Sequence, residues 1–290
     1  MSAKKYVVLT DSACDLPPGL AEKYEIEILN FEISVDGTRY VEREDFTFDE
    51  YYDILRKCEG VPSTALITMA RFLERFQQHD DSGVEELLYV SINATGSATN
   101  DAAKMAEKEF RAERPNSKMK IHIIDSRTYS MGYGHQVAEA ARKLKNGAQM
   151  SEIVEWLEDI FSKTEVILAA FSLKFIKKSG RISAAAAFAG ELLGLRPIIS
   201  LTDGKSIVEK KVRGDKDVLP ALMDYVESRM DETQQYSVGG TNQAIMDELA
   251  ALCTKKWKTK PFSVFKLGAA VSTNTGPDAI AIIFIGEKRQ

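Results

Sequence analysis

The chain alternates short apolar runs with amphipathic stretches. Residues 6–10 are apolar and stop at Asp11-Ser12, the pattern of a buried strand feeding a loop. Residues 20–24 read as a short helix, 26–34 as a second strand, Asp36-Gly37 as a tight turn and 39–41 as its return. Thr47 caps a predicted helix whose first turn holds Asp49 and Glu50, and Pro62-Ser63-Thr64 reads as a loop before a helix over 68–78. Apolar runs at 86–92 and 119–124 predict two further strands. Each ends in a polar loop, Asn93 to Ser97 in one case and Asp125-Ser126 in the other, and helices follow over 98–113 and 132–146. One more helix is predicted over 150–164. Strand, loop and helix in repeated order predict an open, mostly parallel sheet flanked by helices.

Past Thr164 the pattern changes. Strands are predicted over 166–173, 197–201, 206–213, 235–239, 262–267 and 280–285, with helices only over 183–193, 216–231 and 242–256. Six strands with few crossovers predict a mainly antiparallel sheet with helices on one side. At 290 residues the chain exceeds the size at which one core stops growing. The expectation is an α/β protein of two domains, 1–164 and 165–290, in direct contact. Within 173–204, Ser179-Gly180 breaks an apolar run, Arg181 follows, and alanines at 184–187 and 189 with Gly190 make a small-residue helix. Such a helix packs close to whatever it faces, and the pattern is more often tight core packing than a ligand wall.

Composition narrows the function classes. Hydrophobic content of 44% and charged content of 28% are those of a globular protein, and a net charge of −5 disfavours nucleic-acid binding. The basic cluster of Lys255, Lys256, Lys258 and Lys260 around Trp257 reads as a solvated helix end. Cys14, Cys58 and Cys253 are widely spaced and suggest neither a disulfide framework nor a zinc site, so no metal is expected. The first residues, MSAKKYVVLTDS, lack a signal-peptide core, and no run is long enough to span a bilayer, so a cytoplasmic location is expected.

Three loops follow the carboxyl ends of predicted strands: Asp11-Ser12, Asn93 to Ser97, and Asp125-Ser126. That edge is where ligands bind in open α/β sheets. Thr95-Gly96-Ser97 before a helix offers hydroxyls and free backbone N–H groups, the make-up of an anion site and also of an ordinary N-cap. Asp11 and Asp125 suit Asx turns that brace the loops. No GxSxG, GxxxxGK[ST] or HExxH pattern occurs, and His79, His122 and His135 have no acid or metal partner close in sequence. Gly239-Gly240-Thr241 lacks the rest of a dinucleotide fingerprint. Residue types alone reach a two-domain α/β protein with an anion-friendly sheet edge and no further, with an enzyme on a small anion using Asp11, Ser12 and Asp125 among the classes left open.

The ordered motifs Thr10-Asp11-Ser12-Ala13-Cys14-Asp15-Leu16-Pro17, Pro62-Ser63-Thr64 and Ser91-Ile92-Asn93-Ala94-Thr95-Gly96-Ser97 carry a resemblance, continued by Asp125-Ser126 and Lys177-Lys178-Ser179-Gly180-Arg181-Ile182. Arg196-Pro197-Ile198-Ile199, Arg213 and Gly276-Pro277 complete it. Over essentially its whole length the chain resembles the DegV family of bacterial fatty-acid-binding proteins. The resemblance implies two α/β domains with a long-chain fatty acid such as palmitate or oleate between them, and no cofactor beyond that ligand. It implies a non-catalytic carrier, some members of the family presenting the acyl carboxylate to a fatty acid kinase for phospholipid synthesis. By that analogy Thr64, Thr95, Gly96, Ser97, Asn274 and Arg213 hold the carboxylate. Ala184, Ala187, Phe188, Leu192 and Leu193 line the tail, while Asp11, Ser12, Asp125 and Ser126 brace the loops. Asn274 stands where members of the family carry histidine, and cannot become a cation. Asp278 stands where they carry glycine, which adds a negative charge to the head-group motif. These two departures leave a different small anionic or lipid ligand as the alternative.

Overall fold

The computed structural model describes residues 5–181 and 194–287. The predicted helix over 183–193, with Ala184, Ala187, Phe188, Leu192 and Leu193, lies outside the described residues. In the first half the chain runs β1 (Tyr6–Asp11), α1 (Pro18–Lys23), β2 (Glu27–Leu29), β3 (Glu32–Val35), β4 (Thr38–Val41), α2 (Phe48–Lys57) and β5 (Ser63–Ala65). It continues with α3 (Met69–Asp81), β6 (Glu86–Ser91), α4 (Thr99–Glu113), β7 (Lys120–Asp125), α5 (Met131–Lys145) and α6 (Met150–Phe161). The second half holds β8 (Thr164–Ala170), α7 (Leu173–Ser179), β9 (Leu195–Thr202), β10 (Lys205–Arg213) and α8 (Val218–Glu227). Then come β11 (Tyr236–Gly240), α9 (Gln243–Trp257), β12 (Val264–Lys266), α10 (Ala269–Thr275) and β13 (Ala279–Ile285).

Three sheets result. The first is parallel throughout, in the order β2-β1-β6-β7, with Thr10 beside Val90 and Ser91 beside Asp125. Its strands therefore end level, and the loops after β1, β6 and β7 share one edge. A small antiparallel sheet, β4-β3-β5, stands next to it. The third sheet has the order β10-β9-β8-β13-β11-β12 and is antiparallel except for the β11–β12 pair. The mainly antiparallel second half is thus as expected.

The third sheet is covered on both faces, which its uniformly apolar central strands require. Ile167, Ala169, Ile198, Ile280, Ile282 and Phe284 pack against α8 and α9. Val166, Leu168, Ala170, Ile199, Ala281 and Ile283 point the other way, into the core that continues through α5 to the parallel sheet. Helices α8 and α9 lie on one side, and the first half closes the other together with α7 and α10. No helix among the described residues is long and apolar enough to cross a membrane.

Four local expectations are corrected. The strand predicted over 26–34 is two strands, because the chain leaves the parallel sheet at Asn30-Phe31, where the Phe31 N–H donates to Ser12 Oγ at 2.9 Å. Pro62-Ser63-Thr64 is not all loop, since β5 pairs with β3 there. The strand predicted over 166–173 ends at Ala170, and Ser172 caps α7 by accepting from the Lys174 N–H at 3.4 Å. A helix, α10, occupies the stretch after Gly268 that the sequence pattern leaves without an element. By contrast Thr47 caps α2 as expected. It accepts from the Glu50 N–H at 3.4 Å, while Glu50 accepts from the Thr47 N–H at 2.7 Å.

Candidate functional site

At the carboxyl edge of the parallel sheet, each bracing residue holds the backbone of a neighbour that faces a common cavity or leads to it. Asp11 accepts from the Ile92 N–H at 2.9 Å, from the Tyr89 hydroxyl at 3.1 Å and from the Tyr133 hydroxyl at 2.5 Å. Burial pushes its carboxyl up to about 6, against the opposing pull of those hydrogen bonds. Ser12 accepts from the Phe31 N–H and donates to Glu42 at 2.5 Å. Asp125 accepts from the Ala94 and Arg127 N–H groups at 3.0 and 2.9 Å. Ser126 donates to the Thr128 carbonyl at 3.2 Å, one residue before Tyr129.

Phe31, Ile92, Ala94 and Tyr129 are walls of a cavity of about 470 Å³. Its remaining sides come from β5 (Thr64, Leu66), the start of α4 (Ala98, Asp101), the third sheet (Leu168, Leu201), the end of α7 with Arg181, and α10 (Ala270, Val271, Asn274, Thr275). The cavity lies between the parallel and the third sheet. Its walls are mostly apolar, while Thr95, Ala98, Asp101, Leu66 and Arg181 are exposed around it.

The helix α10 is held over two buried carboxyls. Glu42 accepts from the Ala270 N–H at 2.9 Å, and Asp15 hydrogen-bonds Ser130 Oγ. A Cβ at Gly268 would lie 2.1 Å from Asp15 Oδ1 and 2.9 Å from Glu42 Oε1, so the residue before α10 has no room for a side chain. Burial raises both carboxyls above the ordinary range, and for Asp15 the proximity of Glu42 adds to it. Tyr51 and Thr273 share a hydrogen bond of 2.6 Å, and the Tyr52 hydroxyl donates to the Leu267 carbonyl at 2.5 Å.

Five of the six expected head-group residues border the cavity: Thr64, Thr95, Gly96, Ser97 and Asn274. Arg213 does not. It is exposed at the far end of β10, paired with Leu195 and beside Asp217 and Pro220. A different cation, Arg181, borders the cavity instead. Nor does the Thr95–Ser97 loop offer free N–H groups. The Thr95 N–H donates to Asn93 Oδ1, and those of Gly96 and Ser97 to the Asn93 carbonyl, each at 3.1 Å. Thr95 Oγ1 donates at 2.5 Å to the Gly204 carbonyl, and Ser97 Oγ lies 2.9 Å from Thr99 Oγ1. Gly96 lies under the Tyr129 ring, whose hydroxyl would be 2.2 Å from an added Cβ. Asn274 spends an amide hydrogen on the Ala270 carbonyl at 3.0 Å. Thr64 is half-buried, and its hydroxyl has no hydrogen-bond partner among the described residues.

Asp278 is also away from the cavity. Its carboxylate pairs with Arg56 at 3.2 Å on the surface, so it adds no charge to the head-group region. His79 and His122 lie 2.7 and 3.3 Å from Glu27 and Glu86, away from the cavity, and His135 packs against the Phe262 ring at a tilt of 51°. Among the described residues no group of three or more His, Cys, Asp or Glu is set to hold a metal ion. Tyr129 and the α10 residues other than Asn274 were not marked by sequence pattern, and Asn93 was marked only as the start of its loop. Arg181 was, by the Ser-Gly break before it.

The comparisons with known proteins agree with this geometry. A family model described as "Uncharacterised protein, DegV family" matches residues 5–287. A DegV domain-containing protein of Clostridium perfringens is 29% identical over 294 residues, covering 99% of each chain. Among solved structures, a fatty acid binding DegV family protein of Streptococcus agalactiae superposes with a TM-score of 0.86 at 25% identity, covering 98% of this chain and 100% of its own. A stearic acid-binding protein of Eubacterium ventriosum gives a TM-score of 0.86 at 23% identity, covering 98% and 99%. With nearly every residue matched to the family model, from the buried Asp11 loop to the last strand, the chain belongs to the DegV family.

Proposed function

We propose that the chain is a carrier that binds a long-chain fatty acid in the cavity between the parallel and the third sheet. The observation that carries this reading is the cavity itself: about 470 Å³ and mostly apolar, walled by Phe31, Ile92, Leu168, Leu201, Ala270 and Val271. Each buried methylene contributes ~0.8 kcal/mol, so a long acyl chain supplies on the order of 10 kcal/mol before ordering costs. A short polar anion would leave these walls wet and gain none of it. The names of the Streptococcus agalactiae and Eubacterium ventriosum proteins, which bind fatty acid and stearic acid, support the same ligand class.

The carboxylate must keep its hydrogen bonds on entering. We assign it to Thr64 and Arg181, which border the cavity; one guanidinium N–H of Arg181 donates to the Ser179 carbonyl at 2.7 Å, and its other donors serve the carboxylate. Thr95, Gly96 and Ser97 shape that end of the cavity, their own donors being engaged within the protein. Asn274 contributes the polar rim of α10 without a positive charge. Held so, the carboxylate stands at the exposed rim, where a partner kinase would reach it for phosphoryl transfer. The ligand-binding unit is then formed by both expected domains, 1–164 and 165–290. Native mass spectrometry of the purified protein, followed by solvent extraction, tests the reading. A stoichiometric fatty acid is expected, with uptake of oleate or palmitate by the stripped protein. A different bound lipid or acid, or a protein that takes up neither, would contradict it.

A further inference from the structure

The cavity's two rims are tied very differently, and the weaker tie is a two-residue turn. Strands β9 and β10 are joined at Asp203-Gly204, with Thr202 paired to Lys205 and both turn residues at positive φ, 48° and 74°. This turn reaches across to the loops of the parallel sheet. The Gly204 carbonyl accepts from Thr95 Oγ1 at 2.5 Å and from Asn93 Nδ2 at 3.0 Å, and the Gly204 N–H donates to the Arg127 carbonyl at 2.9 Å. An exposed Arg127–Asp203 pair at 3.5 Å adds little. The residues that grip the turn are attached to the cavity wall: Thr95 lines it, and the second hydrogen of Asn93 Nδ2 goes to the hydroxyl of Tyr129, which also lines it. On the other side of the turn, Leu201 is a cavity wall too. Strand β10 is an edge strand, bonded to β9 alone among the described strands.

We infer that the Asp203-Gly204 turn is a latch for ligand exchange: release of its three hydrogen bonds parts Leu201 from Thr95 and Tyr129 and opens the cavity. The latch rests on the carrier reading for its ligand but not for its geometry. Its consequence is kinetic. A latch that opens and shuts with the site empty or full governs how fast the ligand enters and leaves, and leaves the equilibrium nearly untouched. Thr95 then acts on the ligand through the turn rather than by touching the carboxylate.

The variant Gly204→Ala probes it, because an added Cβ would lie 2.9 Å from Asn93 Oδ1 and 3.2 Å from Thr95 Oγ1 at a φ that disfavours alanine. Stopped-flow mixing with a dansyl-labelled fatty acid should show entry and release both about tenfold faster, the equivalent of about one hydrogen bond, with Kd changed less than about threefold. Thr95→Val removes one of the three bonds without the backbone strain and should speed both rates in the same direction. Unchanged rates in both variants, or a weaker Kd with entry unchanged, would overturn the latch. Amide hydrogen exchange on the same proteins separates this failure from that of the carrier reading. Should the wild type bind no fatty acid, the carrier reading falls. The latch would still require the Gly204 amide to exchange faster in Thr95→Val, with β8 and β13 unchanged, and equal exchange there would overturn it.

Discussion

On the α10 side of the cavity, contacts to the rest of the chain are numerous and buried. Glu42 holds the Ala270 N–H, Tyr51 holds Thr273, Tyr52 holds the carbonyl of Leu267, and Gly268 is pressed against Asp15. On the β9–β10 side, three hydrogen bonds at one turn make the connection, one from the exposed Thr95 hydroxyl and one from the buried Asn93 amide. A buried group that loses its partner pays a desolvation cost, whereas an exposed one regains water. The first rim is therefore built to stay and the second to yield, and substitutions at the two should differ in kind: stability at one, exchange rate at the other.

One of the two largest effects is expected where the rigid rim has no spare volume. Gly268→Ala forces a methyl group onto Asp15 and Glu42 and should lower unfolding free energy by about 2–3 kcal/mol in a denaturant titration. A change within error would show that this rim can relax. Next is a pH effect below the same edge. The Asp11 carboxyl titrates near 6 in the folded protein against 3.8 unfolded, so the fold holds more protons between those values. Its contribution then falls as pH rises from about 4 to 6 and is fully lost above that, a difference of about 3 kcal/mol. Asp11→Asn should lack this component, so wild type should lose stability relative to the variant by that order as pH rises. Parallel curves from pH 4 to 7 would refute the assignment.

Smaller effects sharpen the contrast at the ligand. Thr64→Val removes an uncommitted hydroxyl and should weaken oleate binding about tenfold by calorimetry, within the range for a hydrogen bond to a charged group. Thr95→Val should leave that affinity within about threefold, since the lost bond is to Gly204. Equal weakening by both would return the carboxylate to the Thr95–Ser97 loop. The smallest effect belongs to Asp278→Gly. That carboxylate is about half exposed and paired with Arg56, so affinity should be unchanged.

The sequence shows why one side was easier to read than the other. Apolar runs that stop at Asp11-Ser12, at Asn93 and at Asp125-Ser126 mark strands β1, β6 and β7 and their common edge, because buried parallel strands must be apolar and their loops must be polar. The change of pattern past Thr164 likewise follows from strands with fewer helices between them, α9 being the crossover that joins β11 to the parallel β12. The helix α10 was not legible. Its sequence AAVSTNT is poor in helix formers, and tertiary contacts with Glu42 and Tyr51 hold it instead. The short α7 was hidden because its apolar residues continue those of β8. At the site, residue types named Thr95, Gly96 and Ser97 correctly as cavity neighbours but said nothing of where their donors point. That depended on Asn93 and on a turn more than a hundred residues away. That Arg213 lies away from this cavity was not legible for a related reason: its position at the end of β10 is set by the register of the β9–β10 hairpin.

The central claim is that a fatty acid lies between the two sheets with its carboxylate on Thr64 and Arg181. A crystal structure of the protein soaked or purified with oleate tests it most directly. The account predicts the acyl chain against Phe31, Leu168 and Leu201, a carboxylate oxygen within hydrogen-bond distance of Thr64 Oγ1, and the Thr95–Gly204 bond intact. A carboxylate seated on Thr95 with that bond broken, or oleate bound elsewhere with the cavity empty, would contradict it.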